Sequence, residues 1–195
     1  MVYTDLLFAD DKKLEERALA MGSKKLIVVG KDCFVLGKAD GSELRKQRQK
    51  FELIAVNPMS LQDCKFAVSS KQVDLLFNPF QSKKTLFDIA LAKLAKQNNV
   101  FIALNFSELL NKSFSETTYL MEKIKALILL CNKVKFSLLI FSGAKTVEEL
   151  RSVQDLQAFL EFLGLKPELA RMAVKENPLK LFERRKLEGV KVVRK

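Results

Sequence analysis

The chain of 195 residues carries 34 Lys and Arg against 23 Asp and Glu, a formal net charge of +11, and 48% of it is apolar. That length and apolar share suit one domain with a substantial core and exclude a disordered chain. Histidine is absent altogether, which removes the commonest general base and the commonest nitrogen ligand for metals.

In chain order, Tyr3 to Phe8 reads as a strand leading to Asp10, and Asp10 or Asp11 caps a helix from Lys12 to Met21 that Gly22 stops. Lys25 to Val29 is the next strand. The stretch from Gly30 to Lys50 reads as loop plus helix, with Cys33 to Leu36 able to extend, a turn at Asp40-Gly41, and Ser42 capping a basic helix to Lys50. Phe51 to Val56 forms a strand that closes on Asn57-Pro58, and Ser60 caps a short helix from Leu61 to Ser69. A strand over Lys65 to Ser69 is the rival reading. It fails because a crossover to a parallel strand at Val73 needs about a dozen residues.

Val73 to Phe77 ends in Asn78-Pro79, helical spacing follows from Leu86 to Gln97, and Val100 to Leu104 ends in Asn105, which together make a βαβ unit. Ser115 or Thr117 opens a long helix through Tyr119, Ile124, Leu127 and Cys131. Leu138 to Phe141 is a strand ending in Ser142-Gly143. Ser152 to Leu163 is a helix stopped by Gly164, Pro167 starts another to Lys175, and Pro178 starts a last one toward Lys186. Six strands and a chain shorter than the roughly 250 residues of a full (β/α)8 barrel mean that any barrel is trimmed or irregular, with an open parallel sheet as the alternative. Either way, Asn57, Asn78, Asn105 and Ser142 fall on the strand-end rim, where ligands of α/β folds bind.

The positive charge is unevenly placed. The last 16 residues hold seven basic side chains against Glu183 and Glu188, and Lys31 to Lys50 holds six against three, including Arg45 and Arg48. Such clustering is the electrostatic footprint of a polyanion binder, although solvated charge serving solubility explains part of it. Catalytic motifs are missing: the seven glycines are scattered, and neither a P-loop nor a dinucleotide fingerprint occurs. Asp5, Asp74 and Glu108 are raw material for a carboxylate metal site, but buried hydrogen bonds or capping explain them equally well. Cys33, Cys64 and Cys131 are odd in number and widely spaced, so buried thiols are expected rather than disulfides or a zinc site. Apolar runs are broken by charge before the roughly 18 residues a membrane span needs, and the acidic start does not look like a signal peptide, so a cytoplasmic protein is expected.

From Val73 on, the run Val73-Asp74-Leu75-Leu76-Phe77-Asn78-Pro79, the helix Asp88 to Lys96, Asn99-Val100, Ser142-Gly143-Ala144, Leu150-Arg151-Ser152, Gly164-Leu165 and Asn177-Pro178 together resemble the RNase P protein component 3 family. The resemblance spans roughly Phe51 to Arg184. It implies a TIM-like α/β barrel; with the elements read above, a single domain is expected over residues 1–186, with a basic loop-helix insertion around 31–50, and a mobile basic tail over 187–195, where no packing partner is evident. It also implies a noncatalytic subunit, without cofactor or metal, that helps RNase P RNA remove the 5′ leader of precursor tRNA and pairs with RNase P protein component 2.

On this reading Lys83, Lys84, Lys145 and Arg151, with Arg45 and Arg48, are the expected phosphate contacts, each with a solvated charge or a structural bond as its plainer reading. Phe159 and Phe162 are expected in the core, with a partner surface as the alternative. The chain departs from the family where Ile89 stands for a common histidine, Ser107 for a common arginine, and Ser82-Lys83-Lys84-Thr85 for an Arg-rich loop. A small-molecule enzyme using the polar rim and a general RNA-binding scaffold are the competing readings.

Overall fold

The computed structural model describes residues 3–80, 87–110 and 112–187. Seven strands alternate with helices: β1 (Tyr3–Leu7), α1 (Lys12–Ala20), β2 (Ser23–Val28), β3 (Cys33–Leu36), α2 (Gly41–Arg48), β4 (Leu53–Val56), α3 (Leu61–Ser69), β5 (Leu75–Phe77) and α4 (Ile89–Gln97). Then come β6 (Phe101–Asn105), α5 (Phe114–Val134), β7 (Leu138–Phe141), α6 (Val153–Phe162), α7 (Pro167–Arg171), a π-helical turn (Met172–Glu176) and α8 (Asn177–Leu187).

All pairing is parallel. β1 and β2 form one sheet, and β3-β4-β5-β6-β7 form another in sequence order. The break between them has a local cause: only Val29 to Asp32 separate β2 from β3, too few for a crossover, and the chain turns tightly there. Gly30, at φ +89°, donates its N–H to Cys33 O at 2.8 Å, and Asp32 Oδ2 accepts from Val28 N at 3.0 Å. At the other seam, Gly143 N donates to Leu6 O at 3.1 Å and Phe8 N to Ala144 O at 3.0 Å, so β7 leans on β1 without a full ladder.

Side-chain alternation shows that the strands curl into a barrel. Leu53 and Ala55, Leu75 and Phe77, Phe101 and Ala103, and Leu139 and Phe141 belong to one apolar cluster with Leu6, Ile27 and Cys33, so all seven strands contribute to one interior. The intervening Ile54, Val56, Leu76, Ile102, Leu104, Leu138 and Ile140 pack outward against the helices. Both faces being covered explains why the strands read as continuous apolar runs. α8 reaches back into the interior with Leu181, which is fully buried, and Asn177 Nδ2 donates to Leu138 O at 2.8 Å at the start of β7. The TIM-like α/β expectation therefore holds in a trimmed, irregular form.

Three local expectations change. Cys33 to Leu36 is a strand, pairing with β4 from Cys33↔Leu53 to Leu36↔Val56, because its apolar side chains bury on both faces once β4 lies beside it. Asp40 rather than Ser42 caps α2, with its carboxylate accepting from Ser42 N at 2.9 Å and Glu43 N at 3.1 Å. Ser113 opens α5 through a reciprocal capping box with Glu116, two residues ahead of the expected start. No helix among the described residues is long and apolar enough to cross a membrane.

Candidate nucleic-acid interface

The strand-end rim is where the sequence placed its polar residues, and the structure shows most of them bonded to one another. Asn78 adopts φ 38°, and its Oδ1 accepts from Asn105 N at 3.0 Å. Asn105 Oδ1 accepts from Ser107 N at 3.1 Å, and Ser107 Oγ lies 2.9 Å from both Asn105 Oδ1 and Gly143 O. Gly143, at φ +62°, has no room for a side chain, since a Cβ there would sit 1.6 Å from Asn105 Oδ1. Asp5 accepts from Leu6 N at 2.9 Å, Ser142 N at 2.8 Å and Ser142 Oγ at 2.5 Å. These bonds satisfy buried polar groups and tie β1, β5, β6 and β7 together; they use the same atoms that a rim-bound substrate would need. Asn57 Oδ1, by contrast, is buried without a hydrogen-bond partner.

Asp74, also proposed for a metal, is committed elsewhere. It is fully buried, and its Oδ2 pairs with Arg48 Nη1 at 2.6 Å and accepts from Ile54 N at 2.8 Å. Among the described residues, no group of three or more acidic or Cys side chains is arranged to hold a metal ion. Asp63 lies in the first turn of α3, where burial pushes its carboxyl up. The N–H groups of Ala39, Met59 and Ser60 and the Ser60 hydroxyl outweigh that and hold it below the ordinary carboxylate range. The three cysteines are buried and unpaired with each other; burial pushes the Cys64 and Cys131 thiols up to about 12 and Cys33 higher still.

The expected phosphate contacts separate into distinct roles. Lys83 and Lys84 lie outside the described residues. Lys145 is exposed just after β7, but its loop continues into Glu148 and Glu149, and Glu149 Oε2 accepts from Lys145 N at 2.8 Å. Arg151 is half-buried: its Nη1 donates to Glu148 O at 2.8 Å and Leu150 O at 2.6 Å, and the guanidinium lies 5.4 Å from the centre of the Phe106 ring. Arg45 is exposed on α2. Arg48 is not a surface cation, because besides Asp74 it donates to Glu52 O, which ties the end of α2 to the starts of β4 and β5. Its charge reads as surface in sequence because nothing local signals the partner, 26 residues away. Phe159 packs edge-to-face on Phe106 at 5.1 Å as a core reading expects, whereas Phe162 is 79% exposed because it lies on the outer side of α6.

A family model described as RNase P subunit p30 matches residues 37–188, most of the chain. The chain belongs to the RNase P subunit p30 family. Ribonuclease P protein component 3 of Methanococcoides burtonii is 28% identical over 153 residues, 75% of this chain and 64% of that protein. Its counterpart in Methanocaldococcus jannaschii is 29% identical over 162 residues, 80% of this chain and 68% of that protein. Across the first three component 3 relatives the match spans 58–64% of their own length. A chain in the cryo-EM structure of archaeal ribonuclease P with mature tRNA superposes with a TM-score of 0.75 at 26% identity, covering 98% of this chain and 85% of that one.

The two positions where the resemblance led to an arginine and a histidine have physical readings. Ser107 gives its hydroxyl to the rim and joins β6 to the Ser142-Gly143 turn. Ile89 is the first residue of α4 and is 38% exposed. Asp88 before it caps the helix, accepting from Leu91 N at 2.9 Å.

Proposed function

We propose that this protein is a noncatalytic subunit of ribonuclease P that assists the catalytic RNA in removing the 5′ leader of precursor tRNA. It acts by contacting RNA phosphates and by pairing with RNase P protein component 2. The observation that carries this reading is the likeness over 98% of the chain to a subunit-sized chain in archaeal ribonuclease P with mature tRNA. The +11 charge and the absence of histidine agree with a role that is electrostatic rather than chemical. Lysine charge screens phosphate repulsion, so the RNA compacts at lower Mg²⁺, and binding weakens with salt at a log–log slope of about −0.7 to −0.9 per phosphate contacted. Lys83 and Lys84, which follow β5 in sequence, with Lys145 after β7 and Arg45 on α2, are the proposed contacts; Arg151 contributes the face of its stacked guanidinium, and Arg48 supports the fold.

The test is reconstituted cleavage of precursor tRNA by RNase P RNA and component 2 at limiting Mg²⁺, with and without this chain. Cleavage should rise only when both proteins are present and fall again when Lys83 and Lys84 are changed to glutamate. No stimulation, together with no salt-sensitive binding to that RNA, would remove the reading and leave a general RNA scaffold.

A further inference from the structure

A strongly positive surface among the described residues lies away from the strand-end rim, toward the opposite end of the barrel. Helices run back along the strands, so the last turns of α4 and α5 lie beside the starts of β6 and β7. An open groove of about 600 Å³, running along α4 from Ile89 to Gln97 at its end, is lined by Lys93, Lys96 and Lys133, and a neighbouring cavity of about 340 Å³ by Lys135, Lys166 and Lys180. The two adjoin through the consecutive residues Val134 and Lys135. All six lysines are exposed, and Glu168 is the one carboxylate lining either cavity.

Side-chain hydrogen bonds to the backbone hold the arrangement together. Asn132 bridges the end of α5 to the loop before α7, donating from Nδ2 to Gly164 O at 2.8 Å and accepting at Oδ1 from Lys166 N at 3.2 Å. Lys96 Nζ donates to Val134 O at 2.9 Å, joining α4 to the end of α5. Lysines in a last helical turn offset the helix dipole, which accounts for Lys96 and Lys133. It covers Lys135 as well, the C-cap of α5, but not Lys93 in the middle of α4, Lys166 at the N-cap of α7 or Lys180 near the start of α8.

We infer that these six lysines form a second RNA-phosphate surface at the strand-start end of the barrel. The subunit then spans between two RNA segments instead of resting on one. The inference rests on the proposed function. RNA is favoured over an acidic protein because lysine is depleted from protein interfaces, and the lining lacks the Trp, Tyr and Arg anchors that such interfaces use. Lysine is well suited to phosphate as a mobile point charge. Strands of three to six residues, at roughly 3.3 Å per residue, set the two ends well apart, so no single phosphate contact serves both.

The test is binding of the full chain, together with component 2, to RNase P RNA across a salt series. It compares the wild type, a variant with all six lysines changed to glutamine, and a Lys145→Gln, Arg45→Gln control. Matching far-ultraviolet circular dichroism and melting temperature confirm that the exposed substitutions leave the fold intact. The expected result is at least a tenfold loss of affinity near 150 mM salt, a slope shallower by up to about 4–5, and hydroxyl-radical protections lost from an RNA segment that the control still protects. An unchanged slope and footprint in a variant that stimulates cleavage as the wild type does would overturn the inference and leave the functional reading standing. An unchanged slope with loss of co-elution with component 2 would overturn it in favour of a protein-docking face. A wild type with neither salt-dependent binding nor stimulation would fail the functional reading itself, and the inference with it.

Discussion

Changing Asp5 to alanine should unfold or strongly destabilise the protein, because this carboxylate joins β1 to the end of β7 across the open seam. Asp5 is 1% exposed and accepts from Ser142 N at 2.8 Å and Ser142 Oγ at 2.5 Å, across the seam where β1 and β7 share only a few backbone bonds. A hydrogen bond to a charged group contributes about 1.5–3 kcal/mol, and a buried donor left without a partner costs about 1–3 kcal/mol. The two bonds across the seam therefore make the loss about 3–6 kcal/mol, a large part of the ~5–15 kcal/mol by which proteins of this kind are stable. Asp5→Asn preserves the shape and keeps an oxygen for Leu6 N and Ser142 N, but removes the charge and forces the Ser142 hydroxyl to accept, so it should cost about 1–3 kcal/mol. Guanidinium unfolding followed by circular dichroism measures both, and a double-mutant cycle with Ser142→Ala should return a coupling of about 1–3 kcal/mol. An Asp5→Ala protein within about 0.5 kcal/mol of the wild type that no longer stimulates RNase P cleavage would refute this reasoning, since the carboxylate would then act in function rather than in the fold.

Gly143→Ala should cost about 2–4 kcal/mol in chemical unfolding, combining the left-handed φ of +62° with the collision at Asn105 Oδ1. Leu181→Ala should cost about 2–5 kcal/mol by opening a cavity where α8 enters the barrel. Asp63→Asn should cost about 1–3 kcal/mol at neutral pH. Because the folded carboxyl lies below its unfolded value near 3.9, that stabilisation is complete above about pH 4 and is lost as pH falls through the folded value. Urea titrations of wild type and variant should therefore converge toward pH 2. With all three thiols buried and raised by burial, Ellman's reagent at pH 8 should label native protein slowly and all three cysteines together on unfolding.

Much of this fold is legible because it is written locally. Capping depends on residues three positions apart, so Ser60 and Ser152 could be read as the starts of α3 and α6, and both form reciprocal boxes with Asp63 and Asp155. Strands buried on both faces appear as unbroken apolar runs, and the Asn or Ser that follows each marks the rim. Cys33 to Leu36 was harder to place because four residues carry little periodicity, and their pairing with β4 depends on a segment 20 residues away.

Charge behaves differently, since a side chain's role depends on what lies across from it. Arg48 and Arg45 share one basic helix, yet Asp74 takes Arg48 into a buried pair and leaves Arg45 in solvent. Lys93, Lys133, Lys135, Lys166 and Lys180 are scattered over nearly 90 residues and meet only because the end of α5 packs beside α4 and beside the segments that begin α7 and α8. The sequence alone determines the elements, their apolar faces and the net charge, since these follow from neighbouring residues and from composition. The tertiary structure decides which charges are buried and which gather on one face, because electrostatic interaction depends on distance in space and not along the chain.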